Sequence, residues 1–317
     1  MSIQEEKRCF EEQRGQKVLD SAKLQFTGVE GYTVYNCSIP FRFEGKEYIF
    51  GRVEKFDEWA NSHVRLFVKT GKDQFAVVED HMIYQLEDPY VAEIQGELTM
   101  GGTHVQKVSG EIFHVFGYFF RGKDLNSLTY FTTGPQNMKD IRLVDLKDGR
   151  IGVFSRPRGE HIRAQFGSES MIGFTVIKSL EELTPDVIEN AVPISGIFEK
   201  DEWGGCNQAY LLENGRIGVI GHQSFSQPAE DRETTLAVYL NVAFEFDPET
   251  FEVFNKKVIG TRCCYPACTP KLPNLADCAF TSGIVPLADG KADLYSGIGD
   301  SAEGRITIDY PFTSPMA

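Results

Sequence analysis

Two stretches, DGRIGVFSRP at residues 148–157 and NGRIGVIGHQ at residues 214–223, match almost letter for letter. In each, Asp-Gly or Asn-Gly separates two apolar runs. Both residues of such a pair tolerate positive φ, so the dipeptide predicts a tight β-hairpin turn. Weaker copies stand at EGKEYIFGR (44–52), QGELTMGGTH (95–104) and DGKADLYSG (289–297). The turn glycines are Gly45, Gly96, Gly149, Gly215 and Gly290. They recur roughly every 50–75 residues, the spacing of four-stranded propeller blades. The chain between them is short apolar runs bounded by Gly, Asp, Asn and Pro, which read as strands: YIFGRV (48–53), RLFVK (65–69), IFHVFGYFF (112–120) and LAVYLNVAFEF (236–246). The pattern predicts an all-β, five-bladed β-propeller, a single domain over residues 1–317 with a central polar pocket. Residues 1–30 form an N-terminal extension with a short helix. Residues 178–191 read as partly helical, interrupted by Pro185.

The hairpins share a second feature. Asn36, Asp88, Asp140 and Asn207 precede the first four turn glycines at nearly equal distances, and Arg52, His104, Arg156 and His222 follow them. Positions equally far from a hairpin turn lie side by side. Each hairpin is therefore expected to set an amide or carboxylate beside an Arg or His at its far end. The fifth copy is longer, with Asp277 before the glycine and Asp300 after it. If the inner strands line a channel, these ends converge on one mouth. Asp and Asn at strand starts commonly only cap turns; the recurring basic partner is what points to a pocket.

Lys and Arg number 32 against 46 Asp and Glu, a net charge of −14. With no Lys/Arg run, this balance argues against nucleic acid, whose binding is driven by basic patches. No apolar stretch approaches the ~20 residues of a membrane span. The segment from Met1 to Asp20 is highly charged and lacks the apolar middle of a secretory signal, so a cytoplasmic location is expected. The seven cysteines are an odd number in a long chain, which reads as reduced thiols. Cys263, Cys264, Cys268 and Cys278 cluster, but without a close C-x2-C pair or a nearby His, so no metal is expected. Nothing in the sequence calls for a cofactor.

Four segments resemble glycoside hydrolase family 130, the β-mannoside phosphorylases and related hydrolases, and its uncharacterised relative, domain of unknown function 1861. Leu86-Glu87-Asp88-Pro89-Tyr90 is similar to the family's Glu-Asp-Pro-Arg motif, whose Asp is the proton donor. Asn137-Met138-Lys139-Asp140, running to Ser155-Arg156-Pro157, resembles the segment that supplies phosphate-binding basic residues. Ile217 to His222 resembles the strand ending in a phosphate-contacting His. Tyr295-Ser296-Gly297-Ile298-Gly299-Asp300 resembles the last blade's Tyr-Gly-Ala-x-Asp signature. Two departures stand out: Tyr90 occupies the place of the family's motif Arg, and Lys139 that of its first basic phosphate residue.

The resemblance implies cleavage or phosphorolysis of a β-mannoside-type bond, with a small carbohydrate and inorganic phosphate as partners. Cleaving a glycoside needs an acid for the leaving oxygen, plus a base for water or an external nucleophile. Asp88 is the candidate acid, with Pro89 expected to hold its backbone extended. If phosphate attacks, Lys139, Arg156 and His222 can cradle it. If water attacks, Glu87, Asp140, Asp277 and Asp300 are candidate bases, and the sequence does not choose among them. Trp59 and Trp203 share an Asp-Glu-Trp context, which suggests equivalent blade positions at the pocket rim; Asn61, Ser62, His63 and Arg65 follow Trp59. His81, His114 and His161 show no partner pattern, and Arg121, Arg158 and Arg163 are assigned to solvated faces. A non-catalytic sugar- or sugar-phosphate-binding propeller and a protein-interaction scaffold are the alternatives.

Overall fold

A computed structural model describes residues 1–231 and 233–317. Each expected hairpin forms, with all five turn glycines at positive φ, between +69° and +85°. Each joins the inner strand of a sheet to the next strand outward. Blade 2 runs outward through Glu87–Ile94, Glu97–Val108, Glu111–Gly122 and Thr129–Thr133. Blade 3 uses Arg142–Asp145, Ile151–Ser155, Gly173–Ile177 and Val192–Pro193, and blade 4 uses Trp203–Leu211, Ile217–Pro228, Thr235–Phe246 and Val253–Gly260. In blade 1 the inner edge is split, because Thr33–Tyr35 and Phe41–Phe43 both pair with Lys46–Glu54. The result is a five-bladed propeller.

The core lies between neighbouring blades rather than in one central mass. Phe154 and Phe174 of blade 3 meet Phe246 of blade 4 with ring centroids 5.8 and 4.9 Å away, and all three rings are buried. Blade-to-blade packing of this kind leaves the axis free for polar groups.

The ring closes by sharing a blade between the two ends of the chain. Val18–Lys23 pairs antiparallel with Ala302–Asp309, outside Lys291–Ile298 and Ala279–Pro286. Arg305 locks this closure. Its guanidinium, 3% exposed, donates to Asp20 at 2.8 Å, to both oxygens of Asp73 at 2.6 and 3.0 Å, and to Asp293 at 3.1 Å. Ahead of the closing strand, helix Ile3–Glu12 begins in a Ser2/Glu5 capping box, the expected N-terminal helix. The extension expected over residues 1–30 ends earlier, because Val18–Lys23 and Gln25–Thr27 are strands of the closing blade and of blade 1. Near residues 178–191 the reading needs adjusting. Pro185 starts a helix, Pro185–Glu189, capped by Thr184, instead of interrupting one; proline fits the first helical turn, where its missing N–H has no partner to lose.

Replacing Arg305 with Ala would leave three carboxylates facing each other at the seam. The expected loss is about 2–4 kcal/mol of unfolding free energy, lower than for a fully enclosed network because Asp20 is half exposed. Denaturant titration measures it, and a loss below about 0.5 kcal/mol, the size of an ordinary surface change, contradicts the closure role.

Candidate active site

Four residues around the axis share one backbone device: three stand at the inner edges of blades 1 to 3, and Asp300 stands in the turn between the second and third strands of the closing blade. Asn36, Asp88, Asp140 and Asp300 all have left-handed φ, at +46°, +49°, +59° and +50°. Asn and Asp enter this region more readily than other residues bearing a Cβ. That preference is the local reason an amide or carboxylate recurs at these positions. For Asp88 it overturns the extended backbone expected from Pro89: a bulge between Glu87 and Tyr90 turns the residue into the channel.

The four residues stand around or beneath a cavity of about 460 Å³. Asn36, Arg52, Glu87, Asp88, Lys139, Arg156 and Asp300, with Arg158, Glu169, Ser170 and Asn274, supply its polar wall. Trp59, Trp203, Tyr239 and Phe280 supply aromatic surface. The two tryptophans do not hold equivalent blade positions, contrary to what their shared context suggested: Trp59 lies in the loop between Lys46–Glu54 and His63–Gly71 of blade 1, whereas Trp203 begins the inner strand of blade 4.

Arg52 organises one side. Its Nη1 donates to Asp88 Oδ1 at 3.0 Å and its Nη2 to Glu87 Oε1 at 2.9 Å. Its Nε donates to Ser62 at 2.8 Å, and the guanidinium lies over the Tyr35 ring. Behind it the buried Glu54 accepts from Ser62 at 2.9 Å, from Tyr35 and from the buried Lys271. Asn36 Nδ2 donates to Asp88 Oδ1 at 3.0 Å and to Asp300 at 3.3 Å. The two oxygens of Asp88 are thus unequal. Oδ1 is anchored twice, while Oδ2 accepts no hydrogen bond from the described residues and lies 3.9 Å from Lys139 Nζ.

On the other side, Asp140 accepts from Arg156 Nη1 at 2.6 Å and lies 3.9 Å from Arg142. Burial opposes ionisation of Asp140, but Arg156, Lys139 and Arg142 outweigh it and hold the carboxyl far below its ordinary range. Arg156 Nε donates to the Gly204 carbonyl at 2.8 Å, and Arg142 sits over the Tyr90 ring at 4.5 Å. Tyr90, the departure from the family motif, therefore supports a cation beneath the pocket. His222 shares a 2.7 Å hydrogen bond with Asn207, and burial followed by the Arg156 charge keeps its ring neutral. Burial lowers the Lys139 pKa, yet Asp88, Asp140 and Glu87 reverse this and raise it. Glu87 and Asp300 are pushed up by burial against the pull of Arg52.

The placement of the expected residues follows from register. Asp140 with Arg156, and Asn207 with His222, pair across their own hairpins. Arg52 instead reaches into the next blade, to Glu87 and Asp88. His104 does not join the site. The bulge sets Thr103 opposite Glu87, and His104 bonds the Gln85 carbonyl and stacks on Tyr118. Asp277 pairs with Lys7 of the N-terminal helix and does not line the cavity. Asp140, Asn207 and His222 lie beneath the lining. Arg158, expected on a solvated face, is exposed yet borders the cavity beside Ser170. Glu54, Lys271, Arg142 and Tyr239 were not anticipated; only Glu54 carried a signal, two residues beyond Arg52 on the same strand face. Among the described residues no cluster of His, Cys, Asp and Glu could hold a metal ion, and no helix is long and apolar enough to cross a membrane.

Fold and site together define a five-bladed propeller with a charged axial pocket rimmed by aromatic rings. The chain belongs to the family described as protein of unknown function (DUF1861), whose model matches residues 10–314. It is 52% identical to MPT-4, a mannose phosphorylase from Leishmania mexicana solved in complex with phosphate ion, over 99% of this chain and 96% of that one, with a TM-score of 0.92. It is 43% identical to MPT-1, a GDP-Man-dependent mannosyltransferase from the same organism, over 100% and 98% of the two chains, with a TM-score of 0.91. The β-1,2-mannobiose phosphorylase of Listeria innocua shares the fold at 14% identity and a TM-score of 0.62, over 89% and 91%. No curated protein gives a significant match.

Directly behind Asn36 lies a fully buried carboxyl with no cation bonded to it among the described residues. Among the described residues Glu303 accepts from the Cys37 N–H at 3.1 Å and the Ser282 hydroxyl at 2.8 Å, and burial pushes it up to about 8. An acid whose folded pKa is raised holds its proton longer in the native state than in the unfolded chain. Stability therefore falls as pH rises from about 4.3, the unfolded value, to about 8, by up to ~1.4 kcal/mol per unit. Glu303→Gln is expected to flatten this decline and to be more stable than the parent at pH 8. Chemical denaturation across pH measures it; parallel profiles for the two proteins contradict a protonated Glu303.

Proposed function

We propose that the protein is a mannoside phosphorylase acting at the axial pocket. The observation that carries this reading is the asymmetry of Asp88: one oxygen is fixed by Arg52 and Asn36, and the other faces a cavity that also holds Lys139, Arg156 and Arg158. A proton donor and a set of cations therefore share one space. In the reaction, an oxygen of inorganic phosphate attacks the anomeric carbon. The glycosidic C–O bond breaks, and Asp88 Oδ2 gives its proton to the departing sugar oxygen. Lys139 and Arg158 hold the phosphate. Arg156 contributes through Nη2, which makes no hydrogen bond to the described residues, while Asp140 fixes its other end. Asp140 is tied up in that ion pair, so it orients Arg156 and is not the base for water. A single displacement inverts the anomeric centre, so a β-mannoside yields α-mannose 1-phosphate. Trp59, Trp203 and Tyr239 offer faces on which a sugar ring stacks.

The relative described as a mannose phosphorylase with bound phosphate supports this reading. The relative described as GDP-Man-dependent supports a second one, in which a mannosyl group is transferred from a sugar nucleotide in the same pocket. Incubation of the protein with β-mannosides and phosphate, and separately with a mannosyl acceptor and either mannose 1-phosphate or GDP-mannose, separates them. Phosphorolysis with reversal from mannose 1-phosphate is expected. Transfer from GDP-mannose alone would favour the second reading, and phosphate-independent release of free sugar would indicate hydrolysis with Asp300 as the base. Asp88→Asn is expected to lower turnover by at least about 100-fold, the usual worth of a general acid, with the fold intact. Full activity in that variant overturns the assignment.

A further inference from the structure

The chain carries a second chemically distinctive site, about which the axial pocket says nothing. Cys263 and Cys264 are adjacent in the single turn Arg262–Cys264, and all seven cysteines are free. The two thiols converge on one hydroxyl: Thr261 Oγ1 lies 3.3 Å from Cys263 Sγ and 3.5 Å from Cys264 Sγ. Their environments differ. Cys263 is exposed and Cys264 is buried. A cavity of about 350 Å³ opens over both and is lined also by Arg14, whose guanidinium donates to the Cys263 carbonyl at 2.7 Å. A third thiol, Cys268, is half-buried and already engaged by Arg262 at 3.1 Å.

We propose that Cys263 and Cys264 form a modification site for small hydroperoxides, with Cys263 as the attacking sulfur and Cys264 as the resolving one. The Cys263 thiolate attacks the distal peroxide oxygen, the O–O bond breaks, and water or an alcohol leaves after protonation. The resulting sulfenic acid at Cys263 is attacked by the Cys264 sulfur. The S–OH bond breaks, a second water leaves, and an S–S bond closes a small ring through the shared peptide. The two thiols lose two electrons and two protons, and the peroxide takes them up. Hydrogen bonding from Cys264 first, then from Thr261, brings the Cys263 thiol down to about 6 against the opposing effect of burial. Exposure and thiolate character are what make a cysteine reactive, and a strained ring makes the product easy to reduce again. The turn sits at the root of the loop that carries Lys271 to Glu54 and Leu272 and Leu275 to the pocket wall.

The test treats the full chain with hydrogen peroxide at neutral pH, followed by intact-mass measurement and peptide mapping. The expected product has lost two hydrogens, maps to the Cys263–Cys264 peptide and reverts with dithiothreitol. Cys263 is expected to alkylate on the order of tenfold faster than any other cysteine at pH 7. In Cys264→Ser the oxidation is expected to stop at a sulfenic acid on Cys263, trapped by dimedone. The exposed Cys263→Ser variant, which does not disturb the core, is expected to lose the oxidation altogether. A disulfide joining Cys263 to Cys268 or Cys9, oxidation elsewhere while Cys263 stays reduced, or unchanged oxidation in Cys263→Ser would each overturn the proposal.

Discussion

A guanidinium removed from water has to find its counter-charges within the protein, and carboxylates gathered at a propeller axis have to find a cation. Arg52 answers both needs. It is buried, it bonds Glu87 and Asp88 of the next blade, and it neighbours Glu54 of its own strand. Breaking a buried pair by removing one partner leaves an uncompensated charge, usually a larger cost than the pair's net worth. Asp88 therefore depends on this side chain directly, while Asn36 and Lys271 are tied to it only through the carboxylates they share with it, Asp88 and Glu54. Arg156 does the same on the opposite wall by fixing Asp140.

The backbone contributes strain of a consistent kind. Four axial residues hold positive φ, a conformation that persists when the surroundings over-determine it and that gathers at functional sites. Here three of them, Asn36, Asp88 and Asp300, line the cavity, and the fourth, Asp140, lies beneath it and fixes Arg156. Hydrophobic packing between blades, as among Phe154, Phe174 and Phe246, holds those positions in place.

Much of the fold was legible because hairpins are local. DGRIGVF and NGRIGVI announce turn, strand and length together, and the cross-hairpin pairs Asp140–Arg156 and Asn207–His222 follow from counting outward from the glycine. Counting fails where register slips. The bulge in blade 2 removed His104 from the pocket and turned Asp88 left-handed beside a proline. Contacts between blades were not legible either. Arg52 reaches Asp88 across a blade boundary, and Lys271 meets Glu54 from a loop 217 residues away in sequence. Arg158 was misplaced because an exposed Arg in a polar loop reads alike whether it faces bulk solvent or a pocket.

The central claim is that the axial cations form an anion site next to a proton donor. Titration calorimetry with inorganic phosphate tests it most directly, on the parent chain and on Lys139→Ala and Arg158→Ala. The account predicts saturable binding, weakened about tenfold or more by each substitution, since a charge-assisted contact is worth roughly 1.5–3 kcal/mol. Absence of phosphate binding, or equal binding in all three proteins, would contradict it.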